Sequence, residues 1–288
     1  MSPPGRPKGE YRSAQREGTP ESPPGRPKGE YRSAKREGSP EIPPGRPKGE
    51  YRSAQREGTP ASPQRERTPS LATLDLDAGL EQLRALGGPA AALPRGARGK
   101  LAAYVELLAK WNRTYNLTAI REPERMVTHH VLDALAVLPF LPAASAGPEL
   151  RVLDVGSGGG VPALPLAIAR PYWHVVALDS SHKKGALLQQ AVIELALPNV
   201  ETVTARVEDY APPAPFDIVI SRAFSDLATF AQSSARHLAP GGRLVAMKGV
   251  FPDEEIALLP PAFRVVASPA LAVPGLDAER HLIVMERA

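Results

Sequence analysis

Short apolar runs alternate with longer amphipathic stretches over the second half of the chain. The runs, rich in β-branched residues, cover residues 151–155, 174–178, 200–204, 216–220, 243–247, 263–267 and 281–285. Runs of this length predict β-strands, and the stretches between them, such as 183–196, carry apolar residues at helical spacing. Strands that alternate with helices predict an α/β fold, with a mostly parallel sheet covered by helices on both faces.

Upstream of this region the apolar positions follow helical spacing instead. The first stripe is Leu76, Leu80 and Leu83, and the second is Leu101, Val105, Leu108 and Trp111. Gly and Pro residues at 87–89 end the first helix, and Pro123 opens a further helix that we predict to reach residue 138. We interpret these stripes as core residues of an N-terminal helical section.

Residues 2–61 form three near-identical units of 20 residues, beginning with SPPGRPKGEYRSAQREGTPE, and a partial echo ends at Ser70. Each unit has one aromatic residue and almost no aliphatic residue, so it cannot bury enough apolar surface to offset the entropy cost of ordering. We therefore predict a disordered Pro- and Arg-rich tail over 1–70, a helical section over 71–148 and a nucleotide-type domain over 149–288.

Charge is divided unequally between the tail, residues 1–70, and the core region, residues 71–288. Residues 1–70 carry 15 Lys and Arg against 9 Asp and Glu, a net +6, whereas the whole chain is +4 and residues 71–288 are therefore −2. A flexible basic arm could attract nucleic acid by releasing counterions. The alternative is a solvated tandem duplication without function. A transit peptide fits poorly, because every unit contains Glu.

The chain contains no cysteine, which excludes disulfides, thiolate metal sites and a Cys nucleophile. No apolar run is long enough to span a membrane, and no secretory signal precedes the core. We expect a cytoplasmic monomer without a bound metal.

The most informative segment is the strand and glycine turn over 151–160, RVLDVGSGGG. A dinucleotide fingerprint fits it weakly, through Gly158, Gly160 and Ala163. The pattern D-x-G-x-G-x-G, from Asp154 through Gly156 and Gly158 to Gly160, fits better. It resembles motif I of the Rossmann-like, class I methyltransferases that use S-adenosylmethionine (SAM). An acid near the turn could attract the cationic amino-acid end of that cofactor.

A second acid, Asp179, follows the run 174–178. A carboxylate at a strand tip can accept both ribose hydroxyls of an adenosine. Asp179 could instead cap the helix over 183–196, a role for which Ser180 and Ser181 compete.

The segment after the third strand offers a further contact for an adenosine. Val207 could lie on the adenine face, and Glu208 or Asp209 could meet the exocyclic amine of the base. The alternative is a solvated acidic loop.

Six segments in order resemble the RsmG family, also called glucose-inhibited division protein B, from about residue 74 to the C-terminus. They read WNRTYNLTAIREPERMV, HHVLDALAVLP, LDVGSGGGVP, RVEDY, ISRAF and LAPGGRLVAMKGV. Members are bacterial methyltransferases of small-subunit ribosomal RNA. The resemblance implies methyl transfer from SAM to N7 of one guanine in the decoding region of 16S rRNA, either naked or within the small ribosomal subunit.

The resemblance also implies roles for individual residues. On the cofactor side it points to Gly156, Val161, Val207, Glu208 and Arg222, beside the Gly158 and Asp179 already named. At the expected RNA entrance it points to Arg121, His130, Asp133 and Lys248. The sequence departs from the family pattern at His129, Ala134 and Ala163. It also departs over 182–187, where an arginine expected for RNA contact is missing.

The residues after the fourth predicted strand also favour methylation at guanine N7. Enzymes that methylate an exocyclic amine generally carry an Asp/Asn-Pro-Pro-aromatic motif after the fourth strand, where this chain has Ser221-Arg-Ala-Phe. Guanine N7 has a free lone pair, so catalysis reduces to placement in a water-poor site, and we assign no catalytic acid or base. Arg222 could contact the cofactor carboxylate or guanine O6.

Two RNA-side residues have alternative interpretations. His130 could contact RNA or simply pair with Asp133 in its own helix, while Lys248 at a strand end favours a phosphate or base contact over burial.

Two other functions stay open. One is a methyltransferase of the same fold that acts on a small molecule or a protein, which the near-neutral core favours. The other is a non-catalytic binding module that acts through its tail.

Overall fold

The computed structural model describes residues 71–87, 92–142, 150–222 and 224–288. The repeats over 1–70, which we predicted to be disordered, lie outside the described residues. The described part is built around one seven-stranded sheet with the order β3-β2-β1-β4-β5-β7-β6. The strands are β1 (Arg151–Val155), β2 (His174–Asp179), β3 (Val200–Thr204), β4 (Phe216–Ser221), β5 (Leu238–Lys248), β6 (Phe263–Ala267) and β7 (His281–Arg287).

The first five strands are parallel, and β7 inserts antiparallel between β5 and β6. The α/β prediction with a mostly parallel sheet is therefore confirmed. Strand order reverses between β1 and β4, and ligands of such sheets bind outside the carboxyl ends of the strands at this point.

Successive strand residues face opposite sides of the sheet, as the pleat requires. On the first face, Val152, Ile218 and Val245 pack with the helical section and α5 (Ala163–Ala169). On the second face, Leu153, Val219 and Leu244 pack with α7 (Leu227–Ser234). Both faces are thus covered by helices, as predicted. The other helices are α1 (Leu71–Gly87), α2 (Ala97–Tyr115), α3 (Pro123–Met126), α4 (Asp133–Leu135), α6 (His182–Glu194) and α8 (Asp253–Ala257).

The helix predicted over 123–138 contains a π-helical turn. Between α3 and α4 the six residues Val127–Leu132 are π-helical, and Leu138–Phe140 form a short 3-10 turn. A π-turn inserts an extra residue into the helix and often occurs at functional sites. It changes the direction in which His129 and His130 project relative to a regular helix.

The segment 238–242, in which Pro240, Gly241 and Gly242 predict a helix stop and a turn, is instead the first half of β5. Its register against β4 shifts between Phe216 and Ile218, which marks a bulge. Gly241 adopts a positive φ of 75° there. Pro and Gly therefore shape an irregular strand rather than end one. No helix in the described ranges combines the length and hydropathy that crossing a membrane requires.

Candidate functional site

The glycine turn after β1 is held against the neighbouring strand by its own backbone. Gly156, Gly158 and Gly160 have φ values of 77°, 60° and 95°, a region that side-chain-bearing residues rarely adopt. The N–H groups of Gly156 and Ser157 both donate to the Leu178 carbonyl at 2.9 Å. The turn is thereby fixed at the carboxyl ends of β1 and β2.

Asp179, at the end of β2, connects this turn to the start of α6. Its Oδ2 accepts a hydrogen bond from the Gly158 N–H at 2.9 Å, and its Oδ1 accepts one from the Ser181 N–H at 2.9 Å. The Lys184 ammonium lies 3.5 Å from the same carboxylate. The N-cap of α6 is Ser181, and no side chain caps this helix, so the capping alternative for Asp179 is wrong. Asp179 instead bonds the N–H of the cap residue and anchors the glycine turn.

Asp154 lies behind the turn and is fully buried. Its Oδ2 accepts a hydrogen bond from the Ala163 N–H at 3.2 Å, at the start of α5. Burial raises the pKa of this carboxyl to about 7. Asp154 lines none of the three cavities at this edge of the sheet, and its hydrogen bond supports the turn. Its attraction of the cationic end of the cofactor stays a prediction.

The first cavity, of about 220 Å³, lies at the ends of β1, β2 and β3. Val207 is buried in its wall, whereas Glu208 is largely exposed and lies 3.4 Å from the Arg206 guanidinium. A backbone hydrogen bond holds the pKa of Glu208 below its usual range. The lining consists of Val155, Gly156, Leu178, Asp179, Ser180, Ala205, Arg206, Val207, Glu208 and Phe224.

The second cavity, of about 240 Å³, lies on the other side of Gly156. The helical section contributes Leu108 of α2 to its wall, and the buried Tyr104 hydroxyl on the same helix donates to the Gly159 carbonyl at 2.9 Å. The lining consists of Leu108, Leu117, Thr118, His130, Gly156, Ser157, Gly158, Gly159, Val161, Lys184 and Arg222. Four of the predicted cofactor residues therefore meet here, namely Gly156, Gly158, Val161 and Arg222.

The third cavity, of about 350 Å³, shares His130 and Arg222 with the second. It is lined by Ile120, His129, His130, Asp133, Arg222, Met247, Lys248, Gly249 and Arg280. The three cavities follow one another, joined first by Gly156 and then by the His130–Arg222 pair.

Asp133 organises the cationic wall of this third cavity. Its carboxylate, 1% exposed, lies 3.2 Å from the Arg222 guanidinium and 3.0 Å from that of Arg280. Both guanidiniums stay partly accessible, with 31% and 24% of their side chains exposed. One buried acid thus fixes two arginines that keep further donors free for a ligand.

His130 does not use Asp133 as its partner, contrary to the alternative we considered. Its Nε2 lies 3.1 Å from the Thr118 hydroxyl, and its Nδ1 lies 3.4 Å from the terminal nitrogens of Arg222. Burial, with the nearby Arg222 charge, lowers the pKa of His130 to about 4. The ring is therefore neutral near pH 7.

Lys248 lines the third cavity but is already engaged. Its ammonium lies 2.7 Å from the Glu255 carboxylate and donates to the carbonyls of Phe224 and Ser225 at 3.4 and 3.2 Å. These contacts offset its charge and tie it to the loop after β4. Arg121 lies at the surface, hydrogen-bonded to Asn116 at 3.4 Å, and lines none of these three cavities.

Tyr104, Thr118 and Arg280 contribute to the site, although we did not predict them from the sequence. Thr118 lies in the NLT segment that carried the family resemblance, so that motif could have indicated it. Tyr104 and Arg280 had no local signal. Within the described ranges, no three His, Asp or Glu side chains are grouped so as to hold a metal ion.

Comparison with known proteins gives consistent matches. The family model described as rRNA small subunit methyltransferase G matches residues 97–283. Proteins named Ribosomal RNA small subunit methyltransferase G are 52% identical in Azoarcus sp., over 68% of this chain and 90% of the relative, and 53% identical in Laribacter hongkongensis, over 73% and 95%. The one in Chromobacterium violaceum is 51% identical over 75% of this chain and 98% of the relative.

Among solved structures, the chain is similar to that of the glycopeptide N-methyltransferase MtfA. The two are 16% identical, with a TM-score of 0.46, over 58% of this chain and 100% of that one.

Proposed function

The chain belongs to the rRNA small subunit methyltransferase G family, and on that basis we propose that its three joined cavities bring the methyl group of SAM to N7 of a guanine in the decoding region of 16S rRNA. It is a SAM-dependent enzyme that methylates ribosomal RNA. The observation that carries the proposal is the succession of cavities, because it leads from the cavity beside Asp179 and Val207 to the cavity beside Arg222 and Arg280.

The first two cavities fit SAM in size and chemistry. Val207 and Leu178 offer apolar walls to an adenine, and Asp179 offers a carboxylate to a ribose. Each Asp179 oxygen accepts one backbone N–H, and Oδ2 also lies 3.5 Å from the Lys184 ammonium, so Oδ1 is the oxygen that keeps a lone pair for a hydroxyl. In the second cavity, Lys184 and Arg222 suit a carboxylate. When bound, SAM supplies a methyl group on a cationic sulfur.

The third cavity suits a guanine that has left its stack. Guanine presents two acceptors, O6 and N7, on one edge, and arginine is a frequent partner of that edge. With N7 reserved for the methyl group, a guanidinium of Arg222 or Arg280 is free to donate to O6. Enzymes that modify a base take it out of the stack into such a pocket.

The neutral His130 matters for the charge that the reaction creates. N7 methylation leaves a positive charge on the guanine ring. Because burial lowers the pKa of His130 to about 4, its ring adds no positive charge at the boundary between the second and third cavities. The chain's residues then orient the base and exclude water, and no proton has to be removed from N7.

The proposed RNA-side residues differ in how available they are. His130, Arg222 and Lys248 line the third cavity, but Lys248 is paired with Glu255 and Arg121 lies outside it. We therefore assign base recognition to the arginine side of the cavity and, among these residues, phosphate contact to Arg121. We further propose that the protein acts as a cytoplasmic monomer and that its reaction needs no metal.

The product tests the function. N7-methylguanosine is cleaved by reduction followed by aniline, so rRNA from cells that express the chain should break at one guanine, and rRNA from the deletion strain should not. Complementation with Arg222→Lys should reduce the cleavage. Complementation with Arg264→Ala should restore it, because Arg264 pairs with Glu286 at the far sheet edge. A chelator should not change the rate on a prefolded RNA.

Other products would exclude the assignment. A 2′-O-methyl or exocyclic N-methyl product from purified enzyme and small-subunit substrate would contradict methylation at guanine N7. Methylation of a protein or small molecule in place of RNA would favour the first alternative function, and the absence of SAM binding by residues 71–288 would favour the binding module.

A further inference from the structure

One arginine donates hydrogen bonds to the backbone of the loop that carries Val207 and Glu208. Arg236, in the 3-10 turn Ala235–His237 before β5, directs one terminal nitrogen at three backbone carbonyls. Its Nη2 donates to Val207 at 2.8 Å, to Tyr210 at 3.2 Å and to Glu208. These carbonyls belong to the same loop that forms the adenine side of the first cavity.

His237 adds a second contact to the same loop. Its Nε2 lies 2.9 Å from the Val207 carbonyl and 3.3 Å from the Arg236 Nε. A carbonyl can only accept, and its contact is the shorter of the two, so we assign the proton to Nε2. The His237 ring packs against the Tyr210 ring at a centroid distance of 5.7 Å. His237 is 3% exposed, and burial lowers its pKa, so the ring stays neutral.

The loop has little regular structure of its own. The N–H groups of Asp209 and Tyr210 both donate to the Arg206 carbonyl at 3.1 Å, which closes one tight turn after β3. The carbonyls of the next residues are not part of a sheet ladder, and buried or half-buried carbonyls need donors. Arg236 and His237 supply them from an element that follows β4 and α7.

We propose that Arg236 and His237 are positioning residues that hold the 207–210 loop in the conformation that recognises the adenine half of the cofactor. This inference rests on the proposed SAM site and adds to it two residues that line none of the three cavities. Both act through the loop backbone, so the contact depends on their donors rather than on the side chains of Val207 and Glu208.

Calorimetry on the full-length protein with two ligands tests the proposal. S-adenosylhomocysteine fills both cofactor cavities, whereas 5′-methylthioadenosine lacks the amino-acid end. Arg236→Ala should weaken both by the same factor, roughly tenfold. Arg236→Lys should recover most of the affinity, because an ammonium still donates to carbonyls. His237→Gln should retain more affinity than His237→Ala for the same reason.

Kinetics separates positioning from a general defect. Arg236→Ala should raise the KM for SAM while kcat at saturating SAM and the KM for RNA stay near wild type. Arg264→Ala is the matched control, since it removes an exposed arginine paired with Glu286 away from the cavities and should change none of these values.

Three results would overturn the inference. The first is a folded Arg236→Ala variant that binds 5′-methylthioadenosine as wild type does. The second is a loss confined to S-adenosylhomocysteine, since that would place the effect at the amino-acid end. The third is wild-type protein that binds neither ligand, which would overturn the proposed function together with this inference.

Discussion

Replacement of Asp179 tests the cofactor site most directly. The carboxylate accepts the N–H groups of Gly158 and Ser181 at 2.9 Å each and, in the proposed complex, the ribose hydroxyls as well. Asp179→Ala removes a charged acceptor from the ligand, and hydrogen bonds to charged groups contribute about 1.5–3 kcal/mol. We therefore expect the affinity for S-adenosylhomocysteine to fall by roughly 10- to 150-fold.

The same substitution should also lower stability, because two backbone N–H groups lose their acceptor. Each half-buried group left without a partner costs about 1–3 kcal/mol, so the free energy of unfolding should fall by roughly 2 kcal/mol or more. Asp179→Asn keeps one acceptor oxygen but loses the charge, and its affinity and stability should lie between those of Asp179→Ala and wild type.

Calorimetry and urea denaturation measure the two effects separately. Asp217→Ala is the matched control, because Asp217 also accepts a backbone N–H, from Arg151 at 2.9 Å, but lines none of the three cavities. The control should lose stability and keep its affinity. If Asp179→Ala binds S-adenosylhomocysteine within twofold of wild type, Asp179 anchors the turn and does not bind the ribose, and the reasoning fails.

Two further predictions concern the buried acid and the tail. The raised pKa of Asp154, about 7, means that the native state holds a proton which the unfolded state has already lost, so stability falls as pH rises from about 4 to 7. Asp154→Asn cannot ionise, so relative to wild type it should gain roughly 2 kcal/mol between pH 5 and 7 in urea denaturation; parallel pH profiles would contradict this. Deletion of residues 1–70 should leave the melting temperature and cofactor affinity unchanged and should flatten the salt dependence of RNA binding. An unaltered salt slope would favour an inert duplication.

The strands and the glycine turn could be predicted because their signals are local. Apolar runs such as 151–155 and 216–220 are too short for helices and lie between turn residues, and the structure has strands there. Gly156, Gly158 and Gly160 have positive φ values, which explains why the turn needs glycine. The parallel sheet then followed from the alternation of strands and helices, and it brought Asp179 and Val207 to one cavity.

Residues that act across the fold could not be predicted in this way. Arg280 contacts Asp133 from 147 positions away in the chain. Tyr104 on α2 contacts Gly159 in the glycine turn from 55 positions away. No periodicity encodes such a pair, because the contact depends on how β7 and α2 are positioned by the whole core. The segment 238–242 was misinterpreted for a related reason. Pro and Gly usually mark a turn after a helix, but here pairing with β4 extends the strand back to Leu238 through a bulge.

The distribution of charge decides between the substrate classes better than the net charge does. The net charge of −2 on residues 71–288 favoured a small-molecule substrate, since a net negative charge repels a polyanion at long range. The third cavity nevertheless collects Arg222, Arg280 and Lys248 against the acids Asp133 and Glu255. Local recognition of a base depends on those donors, whereas long-range attraction depends on net charge, of which the tail carries +6. Recognition and attraction can therefore reside in different parts of the chain, and a near-neutral core is no argument against an RNA substrate.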